Sequence, residues 1–347
     1  MQARWKRIVG LIVKCCLLAI TVAVIAGVTY EQIGEHRDRQ RLPQVGRSVD
    51  IGRRSLNIFC SGTGGPSVVM DTGGSAPGYG NLLLQRRVAE FTRACWFDRA
   101  GLGWSDPSPV KQTSAAIADD LHALLHAANV PAPYVLVGAS FSGFNVRVFV
   151  GKYPREVAGA VLVDSAHEDQ GKYEPPAMIA PFNRLPAPVQ SLLCTAVPLA
   201  ARVGVVRFVR FLQHGSDSRS DGPPGFTDDQ ASTLRRLELQ PKSFVAAAGR
   251  HAWQISAEQA RAAGTLGDRP LVVLTAGRPF TVGDPDADKE LETFHDISVH
   301  KLQPELARLS TRGHQVIVEN SGHGIGGEAP DAVVEAIHEV VKQIRAK

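Results

Sequence analysis

Residues 135–143 read Val-Leu-Val-Gly-Ala-Ser-Phe-Ser-Gly. The three opening apolar residues are typical of a buried strand, and the residues beyond the stretch predict a helix. A strand that turns sharply into a helix holds the residue at its apex, Ser140, exposed above the edge of the sheet. The turn needs small residues two positions away on both sides, because the backbone passes close to itself. Gly138 supplies one, and Ser142 supplies the other where a glycine is usual. We therefore predict Ser140 as a nucleophile, in preference to Ser142, which has the bulky Phe144 at the corresponding position.

The second chemical signal is a histidine near the C-terminal end. The tripeptide Ser321-Gly322-His323 follows a predicted strand at 315–319 and precedes a predicted amphipathic helix at 330–344. A serine hydroxyl is a poor nucleophile near neutral pH and needs an imidazole to accept its proton. We predict His323 as that general base. The other histidines fall on predicted helices or in a helical insertion, where solvation or packing explains them.

Acyl chemistry also requires backbone donors for the negative charge that develops on a substrate carbonyl oxygen. We expect one donor to be the N–H of Phe141, directly after Ser140. We expect the second donor in the turn at 71–75, Asp-Thr-Gly-Gly-Ser, at Gly74. Glycines in such a turn let the backbone approach a substrate closely.

Short strands and helices alternate along most of the chain. Strands are predicted at 48–51, 55–59, 67–70, 95–97, 134–137, 160–163, 271–275 and 315–319. Their alternation with helices such as 114–128 predicts an α/β fold with a mostly parallel sheet and helices on both faces. From about 167 to 269 the strand signals stop, and helix-like stretches occur at 228–239 and 243–263. This excursion is too long for a plain loop, so we predict a helical cap over the carboxyl edge of the sheet.

The N-terminal segment, 1–30, is predicted to be a membrane anchor. An apolar run extends over 8–30 and is interrupted only by Lys14. That length is sufficient to cross a bilayer, which needs about 20 residues. A polar linker is predicted at 31–47, between the anchor and the main domain.

The distribution of charge predicts which side of the membrane the main domain occupies. The short segment before the apolar run carries three basic residues, Arg4, Lys6 and Arg7. Cytoplasmic flanks are enriched in such residues, so the domain at 48–347 is expected outside the cytoplasm. The alternative is a signal peptide cleaved near Ala26 and Gly27, which would release a secreted protein.

Length and charge narrow the class of protein further. The 347 residues are sufficient for one large α/β domain. The formal net charge of +4 is small and its basic residues are scattered, so we expect no nucleic-acid partner. The sequence contains neither a Cys/His cluster at metal-ligand spacing nor a nucleotide-binding glycine motif, so no cofactor and no metal are expected.

Together these motifs resemble the α/β-hydrolase fold-1 superfamily, and within it the bacterial membrane-anchored serine hydrolases. The matching stretches are 73–74, 97–106, 137–143, 161–165 and 321–323, and they span nearly everything from Val49 onward except the predicted cap. The resemblance implies an α/β-hydrolase fold with an eight-stranded sheet. With a serine nucleophile, it also implies hydrolysis of a small-molecule carboxylic ester through an acyl-enzyme.

The resemblance leaves two candidates for the carboxylate that orients His323. The usual position follows the penultimate strand, where the first carboxylate is Asp284, in a loop that is lengthened here. Some relatives carry the acid at the end of the strand after the nucleophile, and Asp164 stands there. We favour Asp164, for which helix capping or loop pinning is the alternative role.

The resemblance also bears on the cysteines. In that fold the second strand lies antiparallel beside the fourth, so Cys60 is expected opposite Cys95. This proximity would permit a disulfide and would suit a domain outside the cytoplasm. Two free thiols are the alternative.

Two further functions are compatible with these residues. One is a catalytically weak protein that binds a ligand in the capped pocket. The serine at position 142 and the unassigned acid are compatible with weak catalysis. The other is an acyltransferase that uses the same residues and differs from a hydrolase only in its acceptor.

Overall fold

The computed structural model describes residues 2–178, 186, 196, 199–214, 223–246 and 250–346. Its centre is an eight-stranded sheet in the spatial order β1-β2-β4-β3-β5-β6-β7-β8. The strands are β1 (Arg47–Asp50), β2 (Ser55–Ser61), β3 (Ser67–Asp71), β4 (Ala94–Phe97), β5 (Tyr134–Ala139), β6 (Val157–Val163), β7 (Leu271–Ala276) and β8 (Gly313–Val318). The β1–β2 and β2–β4 pairs are antiparallel, and the other pairs are parallel. The predicted mostly parallel sheet of eight strands is confirmed.

Helices connect the strands and cover both faces of the sheet. They are α1 (Gln2–Arg41), α2 (Leu82–Val88), α3 (Ser114–Ala127), α4 (Ser142–Lys152), α5 (Val205–His214), α6 (Asp228–Glu238), α7 (Pro241–Ala246), α8 (Arg250–Ala262), α9 (Pro285–Ile297), α10 (Gln303–Ala307), α11 (Ile325–Glu328) and α12 (Pro330–Arg345). A π-helical turn, Ser298–Leu302, joins α9 to α10, and 3₁₀ turns lie at Gly78–Asn81 and Gln170–Lys172.

The two faces of the sheet bury separate cores because successive side chains of a strand point to opposite sides. On β5, Leu136 packs in one core, with α3 and α4, around Leu124 and Phe149. Its neighbours Val135 and Val137 pack in the other core, with α2 and α12. Burial on both faces explains why β5 is apolar at every position from 134 to 137 and does not alternate.

The segment predicted as a cap, 167–269, leaves the sheet after β6 and returns at β7. The helix-like stretches predicted there correspond to α6 and to α7 with α8. Helix α6 begins with a reciprocal cap, because Gln230 N–H donates to the Thr227 hydroxyl while the Thr227 N–H donates to the Gln230 side chain. Helix α8 packs against α3 and α4, and its Ser256 and Gln259 side chains accept hydrogen bonds from the first N–H groups of α3. The C-terminal part of the insertion therefore belongs to the main helical layer.

The N-terminal helix is longer than the apolar run that predicts it. Helix α1 continues to Arg41, so most of the segment predicted as a linker at 31–47 is helical. Ion pairs from the insertion to Glu31 and Asp38 hold this polar half in place. Among the described residues, α1 is the one helix that is long and apolar enough to cross a membrane, over Ile8–Asp38.

The two cysteines of the inner strands form a disulfide. Cys60 of β2 lies directly opposite Cys95 of β4 in the antiparallel register, and their sulfurs are bonded. Cys15 and Cys16 are free and exposed on α1. The arrangement expected from the resemblance is the one found.

Candidate active site

Ser140 occupies a sharp turn between β5 and α4. Its φ angle is +50°, in the left-handed region that residues other than glycine rarely adopt. Its N–H donates to the Val163 carbonyl oxygen (3.0 Å), and its own carbonyl oxygen accepts from the Ala166 N–H (2.9 Å). A side chain at Gly138 would overlap the Ser142 carbonyl group. The strained turn and its small neighbour are present as predicted, at the carboxyl edge of the sheet.

The serine at the position where glycine is usual has a specific contact. The buried Ser142 hydroxyl donates to the Thr72 carbonyl oxygen at 2.5 Å. One turn later on α4, the Asn145 amide donates to a carboxylate oxygen of Asp71 at 2.8 Å. These two bonds tie the start of α4 to the turn after β3, so Ser142 joins the two segments predicted to flank the oxyanion. The turn motif alone does not predict this bond, because its acceptor comes from a distant strand.

His323 lies in the loop between β8 and α11, at the same edge of the sheet. Its Nδ1 is 2.6 Å from Oδ2 of Asp164, the first residue after β6. The His323 side chain is 59% exposed, whereas the Asp164 side chain is 15% exposed. The structure therefore brings together an imidazole and a carboxylate that are 159 residues apart.

Asp164 is held in a defined orientation. Its φ angle is +39°, and its N–H donates to the Leu274 carbonyl oxygen at 2.7 Å. Its second carboxylate oxygen, Oδ1, accepts from the Ala276 N–H at the end of β7 (3.0 Å). The alternative acid, Asp284, caps α9 instead, where its carboxylate accepts from the Ala287 N–H at 3.0 Å. Of the two candidates, Asp164 is the carboxylate that contacts His323.

The charge of Asp164 governs the protonation of the imidazole. The hydrogen bond to Asp164 is the largest cause of a pKa of His323 above its ordinary value, and burial opposes it. The charges of Asp164 and Glu328 add to the increase. A base with a raised pKa accepts a proton more readily, which is the property that a serine nucleophile requires.

Glu328 supports the loop that carries His323, a role that sequence reasoning missed. Its carboxylate accepts from the Gly322 N–H at 2.9 Å and pairs with Arg278 at 2.7 Å. The Gly322 bond is the largest cause that lowers the pKa of Glu328, so the carboxylate is charged at neutral pH. No local motif marks Glu328, because its role depends on the fold of α11 back onto the loop.

The predicted oxyanion residues flank Ser140. Phe141, which directly precedes α4, is 4% exposed. Gly74 has a φ angle of +54° and open space beside its Cα, whereas a methyl group at Gly73 would lie 3.0 Å from the Ser140 Cβ. The glycine turn therefore passes directly beside the serine, and a side chain at position 73 would crowd Ser140.

Arg99 is a second residue that sequence reasoning did not single out, although it lies in the motif at 97–106. Its guanidinium donates to the Gly74 carbonyl oxygen and lies 3.4 Å from the Asp71 carboxylate. Its carbon centre is 5.9 Å from the ring centroid of Phe141. The arginine is 6% exposed, and its hydrogen bond to the Gly74 carbonyl oxygen holds the glycine turn in place.

The loop that presents Arg99 is organised by a buried carboxylate, Asp98. Its oxygens accept hydrogen bonds from Gly78 N–H (2.7 Å), Trp104 N–H (3.0 Å) and the Asn57 amide (3.0 Å). Burial raises the pKa of Asp98 to about 6, although these donors oppose the increase. A small cavity of about 10 Å³, partly open to solvent, adjoins this loop. Among the described residues its lining is Gly74, Arg99, Ala100, Leu102, Gln112, Ile117, Phe141 and Ala246.

One group of potential metal ligands lies away from this edge. The Nε2 atoms of His122 and His126 on α3 are 3.0 and 3.1 Å from the carboxylate of Glu156. Glu156 precedes β6, so the group is at the amino edge of the sheet, opposite Ser140. Hydrogen bonds between these imidazole nitrogens and the carboxylate account for the contacts.

The comparisons with known proteins agree with this architecture. Residues 58–336 match the model of the alpha/beta hydrolase family. An uncharacterized Bacillus subtilis protein, YbdG, is 26% identical over 167 residues, which are 47% of this chain and 51% of that protein. The chain spans 18% of another curated relative that it matches, from Hormonema carpetanum.

Solved structures of hydrolases share the fold. An esterase from Thermogutta terrifontis superposes with a TM-score of 0.56 at 19% identity, over 86% of this chain and 98% of the esterase. The epoxide hydrolase CorEH superposes with a TM-score of 0.57 at 17% identity, over 86% and 98% of the two chains. With a sheet of the predicted topology and a family match over well over half of its length, the chain belongs to the alpha/beta hydrolase family.

Proposed function

We propose that the protein is a serine hydrolase that cleaves carboxylic esters through an acyl-enzyme on Ser140. The observation that carries the proposal is the 2.6 Å contact between His323 Nδ1 and the Asp164 carboxylate, at the sheet edge that presents Ser140. Nucleophile, base and orienting acid are the three roles that acyl transfer requires. A serine at this turn favours ester chemistry.

Acylation begins when the Ser140 Oγ attacks the ester carbonyl carbon and His323 Nε2 accepts the hydroxyl proton. Asp164 keeps Nδ1 protonated, so that Nε2 is free to accept, and it stabilises the imidazolium that forms. His323 then donates the proton to the leaving alcohol as the ester bond breaks. The product of this half-reaction is an ester between Ser140 and the acyl group.

The negative charge on the carbonyl oxygen is stabilised by the N–H groups of Phe141 and Gly74. Each such donor contributes roughly 3 to 4 kcal/mol to transition-state stabilisation in comparable sites. Arg99 and Ser142 act as positioning residues, because they hold the Gly74 turn and join it to α4. In the second half-reaction, water attacks the acyl carbon while His323 accepts its proton. His323 then donates that proton to the Ser140 Oγ as the bond to the acyl group breaks and the acid is released.

Turnover of a panel of p-nitrophenyl esters by the detergent-solubilised full chain tests this proposal. We expect hydrolysis that is lost in Ser140→Ala and retained in Ser142→Ala to within about a factor of ten, the cost of one neutral hydrogen bond. Equal turnover by wild type and Ser140→Ala would refute it. Supplying an alcohol acceptor in the same assay separates hydrolysis from acyl transfer.

We further propose that α1 anchors the protein in a membrane with the catalytic domain outside the cytoplasm. The apolar residues of α1 are exposed, as expected of a helix in lipid, and the Cys60–Cys95 disulfide suits an oxidising compartment. Protease added to intact cells should degrade the domain at 48–347. A protein that becomes sensitive only after lysis would contradict the orientation, and release of the domain into the medium would favour the cleaved signal.

A further inference from the structure

The insertion touches α1 where the apolar run of that helix ends. A methyl group at Gly27 would overlap the Val203 carbonyl oxygen. A methyl group at Gly204, whose φ angle is +71°, would lie 2.9 Å from the Gly27 carbonyl oxygen and 2.9 Å from the Tyr30 ring. The two backbones are thus in direct contact, and glycine on each side makes that contact possible.

Ion pairs extend the contact between the insertion and α1 beyond Gly27. The Arg207 guanidinium pairs with Glu31 (2.8 Å) and Asp38 (2.8 Å), and Arg236 of α6 pairs with Asp38 at 3.2 Å. Glu31 is 4% exposed, so its ion pair with Arg207 is largely shielded from water. These contacts lie one to three turns beyond Gly27, in the polar half of α1.

The contact therefore has a defined depth relative to a bilayer. A helix rises about 1.5 Å per residue, so the stretch from Ile8 to Gly27 spans about 30 Å, the thickness of the hydrocarbon core. Gly27 then lies at its outer boundary. Tyr30 is placed where aromatic residues concentrate at membrane interfaces.

Next to this contact with α1 the insertion presents an exposed apolar surface, which we name the membrane-proximal surface. Its members are large apolar side chains with exposed fractions of 43 to 67%: Leu199, Val205, Phe208, Val209 and Leu212. The four of these residues that lie on α5, from Val205 to Leu212, are spaced so that they share one face of the helix. Arg207 lies off that face and pairs with α1, so α5 has a polar side toward the anchor and an apolar side without a described contact.

We propose that the membrane-proximal surface rests in the headgroup and acyl boundary of the bilayer that α1 crosses. Amphipathic helices bury an apolar face about 5 to 10 Å into that boundary. The proposal rests on the membrane anchoring proposed above, and it is independent of catalysis. The depth set by the Gly27 contact favours lipid over a second copy of the chain as the partner of this surface.

Depth-dependent fluorescence quenching of the full chain in vesicles of phosphatidylcholine and phosphatidylglycerol tests the proposal. Single cysteines at Leu199→Cys and Phe208→Cys carry an environment-sensitive dye. Cys15, Cys16 and Cys194, the last outside the described residues, are replaced by serine, and the Cys60–Cys95 disulfide is kept. Ile25→Cys, 61% exposed on α1, is the positive control. Ala127→Cys, exposed at the amino edge of the sheet, is the aqueous control.

We expect nitroxide lipids to quench the Leu199 and Phe208 probes in the range of Ile25, and several-fold more than Ala127. Quenching equal to that of Ala127 overturns the proposal. Shielding from aqueous iodide without lipid quenching also overturns it, because protein would then cover the surface. Loss of quenching at Ile25 overturns the anchoring itself. The readout needs no turnover, so an inactive protein with quenched probes would refute the proposed hydrolase and leave this surface standing.

Discussion

Replacing Asp164 by asparagine should abolish most of the activity through a change of tautomer. In the wild type, Oδ1 of Asp164 accepts from the Ala276 N–H and Oδ2 accepts from His323 Nδ1–H. An asparagine has the same shape but only one side-chain oxygen, and that oxygen accepts the hydrogen bond from the Ala276 N–H. The amide NH₂ then faces Nδ1, which must become an acceptor, so the proton moves to Nε2. An imidazole in this state cannot deprotonate Ser140.

The expected loss follows from this reversal. A wrong tautomer lowers kcat by about 10⁴-fold in a Ser-His-Asp triad, which corresponds to about 5.5 kcal/mol of transition-state stabilisation. The pH profile changes as well. The base must be neutral, so kcat/KM rises as pH increases through the pKa of His323. Because Asp164 raises that pKa, its neutralisation should move the acidic limb to lower pH.

The assay is p-nitrophenyl ester turnover across the pH range in which histidine titrates. Asp284→Asn is the matched control, since asparagine is also a good helix cap and should leave kcat within about twofold. Residual activity of Asp164→Asn within tenfold of wild type would refute the assignment. So would a large loss in Asp284→Asn.

Three further predictions concern two contacts near the site and the disulfide of the sheet. Ser142→Gly restores the common turn motif but removes the hydrogen bond to the Thr72 carbonyl oxygen. We expect a free energy of unfolding about 1 kcal/mol lower by chemical denaturation, and kcat/KM lower by up to tenfold. Faster turnover than wild type would contradict this. Glu328→Gln keeps a hydrogen-bond acceptor but loses the charge that helps to raise the pKa of His323. The acidic limb of the kcat/KM profile should therefore shift to lower pH, with kcat at high pH nearly unchanged. A limb at the wild-type pH would contradict this. Breaking the Cys60–Cys95 disulfide, which spans 35 residues, should lower the free energy of unfolding by about 4 kcal/mol. We expect a lower Tm both in Cys60→Ser and in the reduced wild type. An unchanged Tm would show that the disulfide contributes little to stability.

Local sequence signals were sufficient for the fold. Buried strands such as β5 are apolar at successive positions, and the turn at Ser140 needs small neighbours, so both can be read within a few residues. The prediction of a mostly parallel eight-stranded sheet is confirmed. The extent of α1 is harder to predict, because its polar half is held by Arg207, which lies far away in sequence.

The supports of the candidate site depend on long-range packing. The choice between Asp164 and Asp284 depends on which loop reaches His323, and that distance is a property of the folded sheet. Arg99 and Glu328 act through backbone groups of other loops, so their residue types alone carry no signal. The catalytic roles of Ser140, His323 and Asp164 remain predictions, to which the structure adds their geometry.

Labelling by a fluorophosphonate, with the modified peptide mapped by mass spectrometry, tests the central claim most directly. The reagent forms a covalent bond with an activated serine and leaves ordinary hydroxyls unmodified. We predict stoichiometric modification of Ser140, absent in Ser140→Ala, slowed by several orders of magnitude in His323→Ala and preserved in Ser142→Ala. A folded protein that stays unlabelled, or that is labelled at Ser142, would contradict the account.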